Sequence, residues 1–294
     1  MKSLSFWICC FLFQISLLGN QIFAQSANAK KNKEIKDRIS IATDFVKEPV
    51  GTGKKWTKIF EEEFNADLSQ WDIWKGGAFN EELQHYQEEN LLIEEGTLQI
   101  IARKEKVTGF LRPDIKLLQD FEFSSARIET KQTFGPSAAN PELRIAARIK
   151  IARGYGMWSA FWAYGDLWPT KGEIDIMEAR GEETSKYFTN YFYGNFPGQN
   201  LVNNPENSVE PGIDLSEEYH VYELIRGKEY LVYLLDGKEV DRKTGGAIPE
   251  LFDKREKITL NLAVGGLFFP HMKKGNILPG IMYIDWVRAY VSHQ

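Results

Sequence analysis

The chain has 294 residues, with 36 Lys and Arg against 41 Asp and Glu, for a formal net charge of −5. Hydrophobic residues make up 43% and charged residues 26%, values that exclude a disordered or fibrous chain. The acidic balance removes the basic footprint of a nucleic-acid binder, while an aromatic content of 13% suits a protein that stacks sugar rings or flat ligands.

The N-terminus reads as a secretory signal peptide over residues 1–24. Lys2 is the positive start, Leu4 to Leu18 form a mostly apolar run, and small residues follow at Ala24, Ala27 and Ala29. Cleavage is expected after Ala24, with Ala29 as the alternative. The run is too short and polar-flecked for a membrane anchor. Both cysteines, Cys9 and Cys10, fall inside it, so the exported chain has no disulfide and no thiolate site. Residues 25–45 are polar and Lys-rich and read as a linker. Residues 46–294 read as one domain.

From Trp56 onward, short alternating runs are separated by Gly, Pro, Asn and Asp. Leu98–Arg103, Arg144–Ile149 and Tyr230–Leu235 are examples, and Asp236-Gly237 after the last suits a type I′ hairpin turn. Many short strands and few helical periods predict an all-β sandwich or jelly roll.

The most informative stretch is Gly172-Glu173-Ile174-Asp175-Ile176-Met177-Glu178. On a strand, Glu173 and Asp175 share a face while Ile174 and Ile176 point to a core. Strict alternation would bury Glu178 with the isoleucines, at high cost. A β-bulge near Met177 returns Glu178 to the acidic face. Three neighbouring carboxylates split their protonation, as glycoside hydrolysis requires. A solvated acidic face or a hard-metal site is the competing reading of the spacing alone.

At these residues the chain resembles glycoside hydrolase family sixteen, the laminarinase and lichenase relatives, over roughly residues 55–290. Supporting motifs are Glu62-Glu63-Phe64-Asn65, Asn80-Glu81-Glu82-Leu83-Gln84-His85-Tyr86, Ser125-Ala126-Arg127-Ile128, Gly156–Trp162, Tyr219–Tyr222 and Asn261–Gly266. The resemblance implies a β-jelly-roll sandwich of two antiparallel sheets with a concave substrate cleft, and an endo-acting β-glucanase that retains anomeric configuration. By the same mapping Glu173 is the nucleophile, Asp175 the assisting acid and Glu178 the acid/base. Trp168, Asn80, Arg127, Asn190, Trp162 and Phe269 are the expected sugar-binding residues. No catalytic cofactor is implied. A structural calcium is implied at Glu63, Gly96 and Asp285, whose hard oxygens suit that ion. The expected partner is a polysaccharide; no nucleic acid or membrane span is expected, and the chain is expected to be monomeric and secreted or periplasmic.

Several positions depart from the family pattern. Ala78-Phe79 replaces Trp-Gly, Ser159 replaces Pro, Arg226 replaces Trp, and Phe268-Phe269 replaces a loop Trp; Asn190 is closer to lichenases than to laminarinases. These changes leave open a marine galactan or xyloglucan as substrate, with Arg226 or Lys273-Lys274 as basic contacts for sulfate. A non-catalytic glycan-binding jelly roll is the third reading. Of the four histidines, His85 is expected to line the cleft and His220 to pack at a strand start. His271 and His293 belong to no catalytic or zinc pattern.

Overall fold

The computed structural model describes residues 56–202, 206–269 and 272–293. The expected signal peptide, both cysteines, the linker, the start of the expected domain and His271 lie outside the described residues. In chain order the strands are β1 (Trp56–Glu62), β2 (Trp71–Ile73), β3 (Gln84–Tyr86), β4 (Leu91–Glu94), β5 (Thr97–Arg112), β6 (Ile115–Ser125), β7 (Arg127–Thr130), β8 (Leu143–Lys150) and β9 (Met157–Tyr164). They continue with β10 (Glu173–Arg180), β11 (Tyr187–Phe192), β12 (Asn207–Val209), β13 (His220–Arg226), β14 (Tyr230–Leu235), β15 (Lys238–Thr244), β16 (Lys257–Val264) and β17 (Gly280–Ser292). A single helical turn, α1 (Ile248–Leu251), precedes β16.

Two sheets result. One runs β15-β14-β13-β8-β17-β5-β6-β3, with β1 on β17 and β4 on β5; the other runs β12-β11-β10-β9-β16-β7-β2. One pairing departs from the all-antiparallel expectation: β3 lies parallel to β6, with Gln84 opposite Phe123 and Tyr86 opposite Ser125. The β14–β15 turn forms as expected, with φ of 50° at Asp236 and 75° at Gly237. Those two positive φ values are what a type I′ turn demands.

The core follows the alternation. Ile174, Ile176, Phe161, Ile258, Leu260 and Leu262 from the seven-stranded sheet are buried, as are Leu98, Ile100, Ile145, Ile149, Leu224 and Val287 from the other. Each such side chain contributes about 1.5–3 kcal/mol on burial. Glu62 shows why the early Glu-Glu-Phe motif exists. It is buried and accepts hydrogen bonds from Phe64 N (2.9 Å), Gln70 Nε2 (3.1 Å) and Trp71 Nε1 (3.1 Å), tying β1 to β2. Three donors on one carboxylate satisfy it inside the fold.

Candidate active site

The site stands on β10. Asp175 pairs with Trp162 of β9, but Met177 pairs with Phe161, so one extra residue is accommodated between them. The same shift appears against β11, where Asp175 faces Asn190 and Glu178 faces Phe188. Ile176 and Met177 both turn inward, 1% and 0% exposed. Glu178 therefore shares the face of Glu173 and Asp175, through the bulge that the acidic spacing predicts. Glu173 and Glu178 are half-buried and Asp175 is buried.

Cross-strand pairing extends this face as rows. One row runs Asp175, Trp162, Thr259, Glu129, Asp72, and another runs Glu178, Ala160, Asn261, Arg127. Residues in register across a sheet are side-chain neighbours.

Electrostatics set the three acids apart from ordinary carboxylates. Burial pushes Glu173 up to about 8, with the charge of Glu178 adding to it and Arg127 and a hydrogen bond from Trp168 opposing it. Burial, then the charge of Glu173, holds Asp175 well above the usual range, against the pull of Lys243. Burial, then Asp175, does the same to Glu178, and the Trp158 hydrogen bond works the other way. That bond runs from Trp158 Nε1 to Glu178 Oε1 at 2.9 Å. At neutral pH the cluster thus retains protons, which a proton donor needs.

The other expected residues take distinct places. Trp168 is 38% exposed, bonds Glu173 and lies 6.0 Å from the Phe192 ring. Trp162 is half-buried, stacks on Tyr164 and donates to Asn261 Oδ1 at 2.7 Å. Asn190 is buried opposite Asp175, its Oδ1 accepting from Tyr191 N at 2.9 Å. Asn80 is exposed in the left-handed region, φ 55°, and its carbonyl accepts from Leu267 N at 2.8 Å.

Four expectations need correction. Arg127 does not present a free guanidinium to a sugar. It is 5% exposed, paired with Glu129 at 2.6 Å, and enclosed by Trp74, Trp162 and Tyr164 at 4.2, 4.7 and 5.3 Å. Burial favours this because guanidinium is weakly hydrated and stacks on aromatic faces. Phe269 is buried against Trp158, Ala160 and Ala263, and the half-buried ring of that loop is Phe268. His85 points away from the acids, because its neighbours Gln84 and Tyr86 hold the cleft side of β3; its ring meets Phe121 at 5.2 Å. Arg226 is fully buried, bonding Glu256 Oε2 at 2.6 Å, so it offers no contact to a sulfate in the cleft. His220 is at the start of β13 as expected, with Nδ1 2.8 Å from Asp236 Oδ2. His293 lies 2.5 Å from Thr57 Oγ1 by its Nε2.

The calcium positions do not assemble a hard-oxygen cluster from their side chains. Glu63 is paired with Arg288 at 2.6 Å and Asp285 with Arg148 at 2.5 Å. Gly96, at φ 73°, passes close to Asn65 and the Glu63 carbonyl. Among the described residues no group of three or more His, Cys, Asp or Glu side chains is arranged to hold a metal ion. Both carboxylates thus have arginine as their counter-charge.

Sequence reasoning missed Trp74, Glu82 and Tyr86. Glu82 Oε2 accepts from Gln84 Nε2 at 2.7 Å and Tyr86 OH at 3.0 Å, and Asn261 Nδ2 donates to Tyr86 OH at 3.2 Å. A polar chain thus runs Trp162, Asn261, Tyr86, Glu82 beside the acids. Burial raises Glu82 as well, against the pull of its Gln84 and Tyr86 bonds and of Arg127. The signal was parity: Glu82, Gln84 and Tyr86 alternate within a motif that singled out Asn80.

A jelly-roll sandwich with a carboxylate triplet across a bulge on one sheet face is the frame of a polysaccharide-cleaving enzyme. Residues 80–266 match the family model described as Glycosyl hydrolases family 16, and the chain belongs to that family. It is 30% identical over 80% of its length to the clotting factor G alpha subunit of Tachypleus tridentatus, of which it spans 34%. It is 31% identical over 73% of its length to a glucan endo-1,3-beta-glucosidase of Cryptopygus antarcticus, of which it covers 82%. The solved endo-beta-1,3-glucanase from Pyrococcus furiosus superposes with a TM-score of 0.69 at 30% identity, covering 82% of this chain and 96% of that one. Among the described residues no helix is long and apolar enough to cross a membrane.

Proposed function

We propose that this chain is a retaining endo-glycoside hydrolase that cuts β-1,3- or mixed β-1,3/1,4-glucan by double displacement. The observation that carries the reading is the placement of Glu173, Asp175 and Glu178 on one face across the Ile176–Met177 bulge. The endo-1,3-beta-glucan activities for which the Cryptopygus and Pyrococcus relatives are named support the substrate class.

In the first step Glu173, in its ionised form, attacks the anomeric carbon through one oxygen as the glycosidic C–O bond breaks, and the Glu178 proton passes to the departing oxygen. In the second, Glu178 takes a proton from water, whose oxygen displaces Glu173 from the sugar. Asp175, buried between them, holds its own proton and steadies the charge that moves from one glutamate to the other. Trp168, hydrogen-bonded to Glu173 and 38% exposed, offers an indole face to the reacting sugar.

Glu173→Gln tests the reading: folding is retained and glucan turnover falls by at least about a thousandfold, an order of magnitude expected for loss of a group acting in both steps. Turnover near that of the wild type sinks the assignment. A reducing-sugar assay over laminarin, lichenan, xyloglucan, agar, porphyran and carrageenan fixes the substrate. The burial of Arg226 removes one motive for the sulfated alternatives. Export of the chain by residues 1–24, and its action as a monomer outside the cytoplasm, are part of the same proposal, in keeping with a polymeric substrate.

A further inference from the structure

Glu178 takes its hydrogen bond from Trp158 Nε1, and that indole is itself held from the other side. The Trp158 ring stacks on Phe268 with centroids 4.6 Å apart and planes 27° apart. Phe268 is fixed in turn by Arg180. Its carbonyl accepts from Arg180 Nε at 2.8 Å, and the guanidinium carbon lies 4.3 Å from its ring centroid. Phe188 closes the assembly, 5.0 Å from the same guanidinium and edge-on to Phe268 at 5.5 Å.

Register explains the grouping. Arg180 is two residues beyond Glu178 on β10 and pairs with Trp158 of β9, so both point to the face that carries the acids. The start of the loop is anchored too. Leu267 N bonds Asn80 O, and Gly266, at φ 94°, passes so close to Asn80 that a Cβ there would stand 2.7 Å from its carbonyl oxygen. Residues 266–268 are thus tied down at successive positions, with the Phe268 face laid on Trp158.

We propose that Arg180 and Phe268 are positioning residues for the acid/base. They fix the Trp158 indole, and through its N–H the Glu178 carboxyl, in the orientation that delivers a proton to the glycosidic oxygen. The proposal rests on the retaining-hydrolase reading above. A proton donor acts only within hydrogen-bond reach of the leaving oxygen, so a carboxyl that swings out of line loses its contribution while the nucleophile keeps its own. The face of Phe268 is occupied by an indole; its role is to hold the acid/base rather than to serve as a sugar platform.

The test separates proton donation from everything else by varying the leaving group. A β-1,3-gluco-oligosaccharide leaves as an alcohol and needs the proton; a 2,4-dinitrophenyl laminaribioside leaves as a stable phenolate and does not. In both cases kcat/KM reports the first step, in which Glu173 forms its bond to the anomeric carbon. For Arg180→Ala and Phe268→Ala we expect kcat/KM on the oligosaccharide to fall about tenfold or more, a part of the 10²–10⁴ that a general acid supplies. On the dinitrophenyl substrate the fall stays below about threefold. Phe268→Tyr keeps the ring stack and restores both values. Phe268→Leu, which retains bulk without the ring, stands in if an alanine variant fails to fold by thermal melt. Equal losses on the two substrates, or no loss on either, overturn the positioning roles. A wild-type protein inert on both substrates overturns the hydrolase reading itself, and the positioning roles with it.

Discussion

Asp175 and Glu178 are an odd number of residues apart on one strand, yet they point to the same face, because Ile176 and Met177 both turn into the core. The bulge is a means of changing strand phase by one residue. Deleting Met177 leaves a regular alternation in which positions 173, 175 and 178 still share a face. We expect that variant to fold, to lose about 2–5 kcal/mol from the missing core side chain, and to keep measurable turnover. Inserting one alanine between Met177 and Glu178 drives the carboxyl inward, and turnover is lost. Thermal melts and a reducing-sugar assay of the two variants check this.

The acids that make the site also destabilise the fold. Glu173 is raised by burial from 4.5 to about 8. An acid raised in the folded state binds protons there that the unfolded chain has released, so its contribution is full below about pH 4.5 and is lost as pH rises to about 8. Glu173→Gln removes that loss. The variant is expected to be more stable than the wild type at pH 8, by about 1–3 kcal/mol, and equal to it near pH 4. Urea unfolding at the two pH values measures the difference; equal stability at both contradicts the raised carboxyl.

Arg226 and Glu256 form a fully buried ion pair, and burial pushes Glu256 up to about 7 against the pull of Arg226. Removing one partner strands a charge in the core. Arg226→Met is expected to cost about 3–5 kcal/mol, while the double change Arg226→Met with Glu256→Leu recovers most of it. A double-mutant cycle in denaturant reads the coupling directly; additive effects of the two changes would show that the pair is not an energetic unit.

Trp74 is half-buried and covers the Arg127 guanidinium at 4.2 Å, beside the Trp162 indole. Its face lines the row that leads away from the acids. For Trp74→Ala we expect KM on glucan to rise by about two- to tenfold with kcat little changed, the size of one lost aromatic contact. A fall in kcat at constant KM would place its role in the chemical step instead.

Much of this was legible in the chain itself. The acidic strand disclosed its bulge, since a carboxylate at 178 was intolerable in the core. Asp236-Gly237 disclosed its turn through the φ values that Gly and Asp accept. The parallel β3–β6 pairing was not legible, because a three-residue strand carries no signal of direction. Arg127 and Arg226 read as cleft cations, yet both are buried. Periodicity assigns a side chain to a face but does not say what covers it. Trp74 just past β2, Arg127 on β7 and Asn261 on β16 come from segments far apart in sequence, which no single motif could announce. Phe268 and Phe269 were adjacent and chemically alike, and only the loop path decides which ring lies inside.

The central claim is double displacement by Glu173 and Glu178, and proton NMR of the first products tests it most directly. With the wild-type protein and a β-1,3-gluco-oligosaccharide, the reducing-end signal that appears first should be the β anomer, with the α anomer growing in only by mutarotation. Initial appearance of the α anomer would mean a single displacement by water, and would contradict the account.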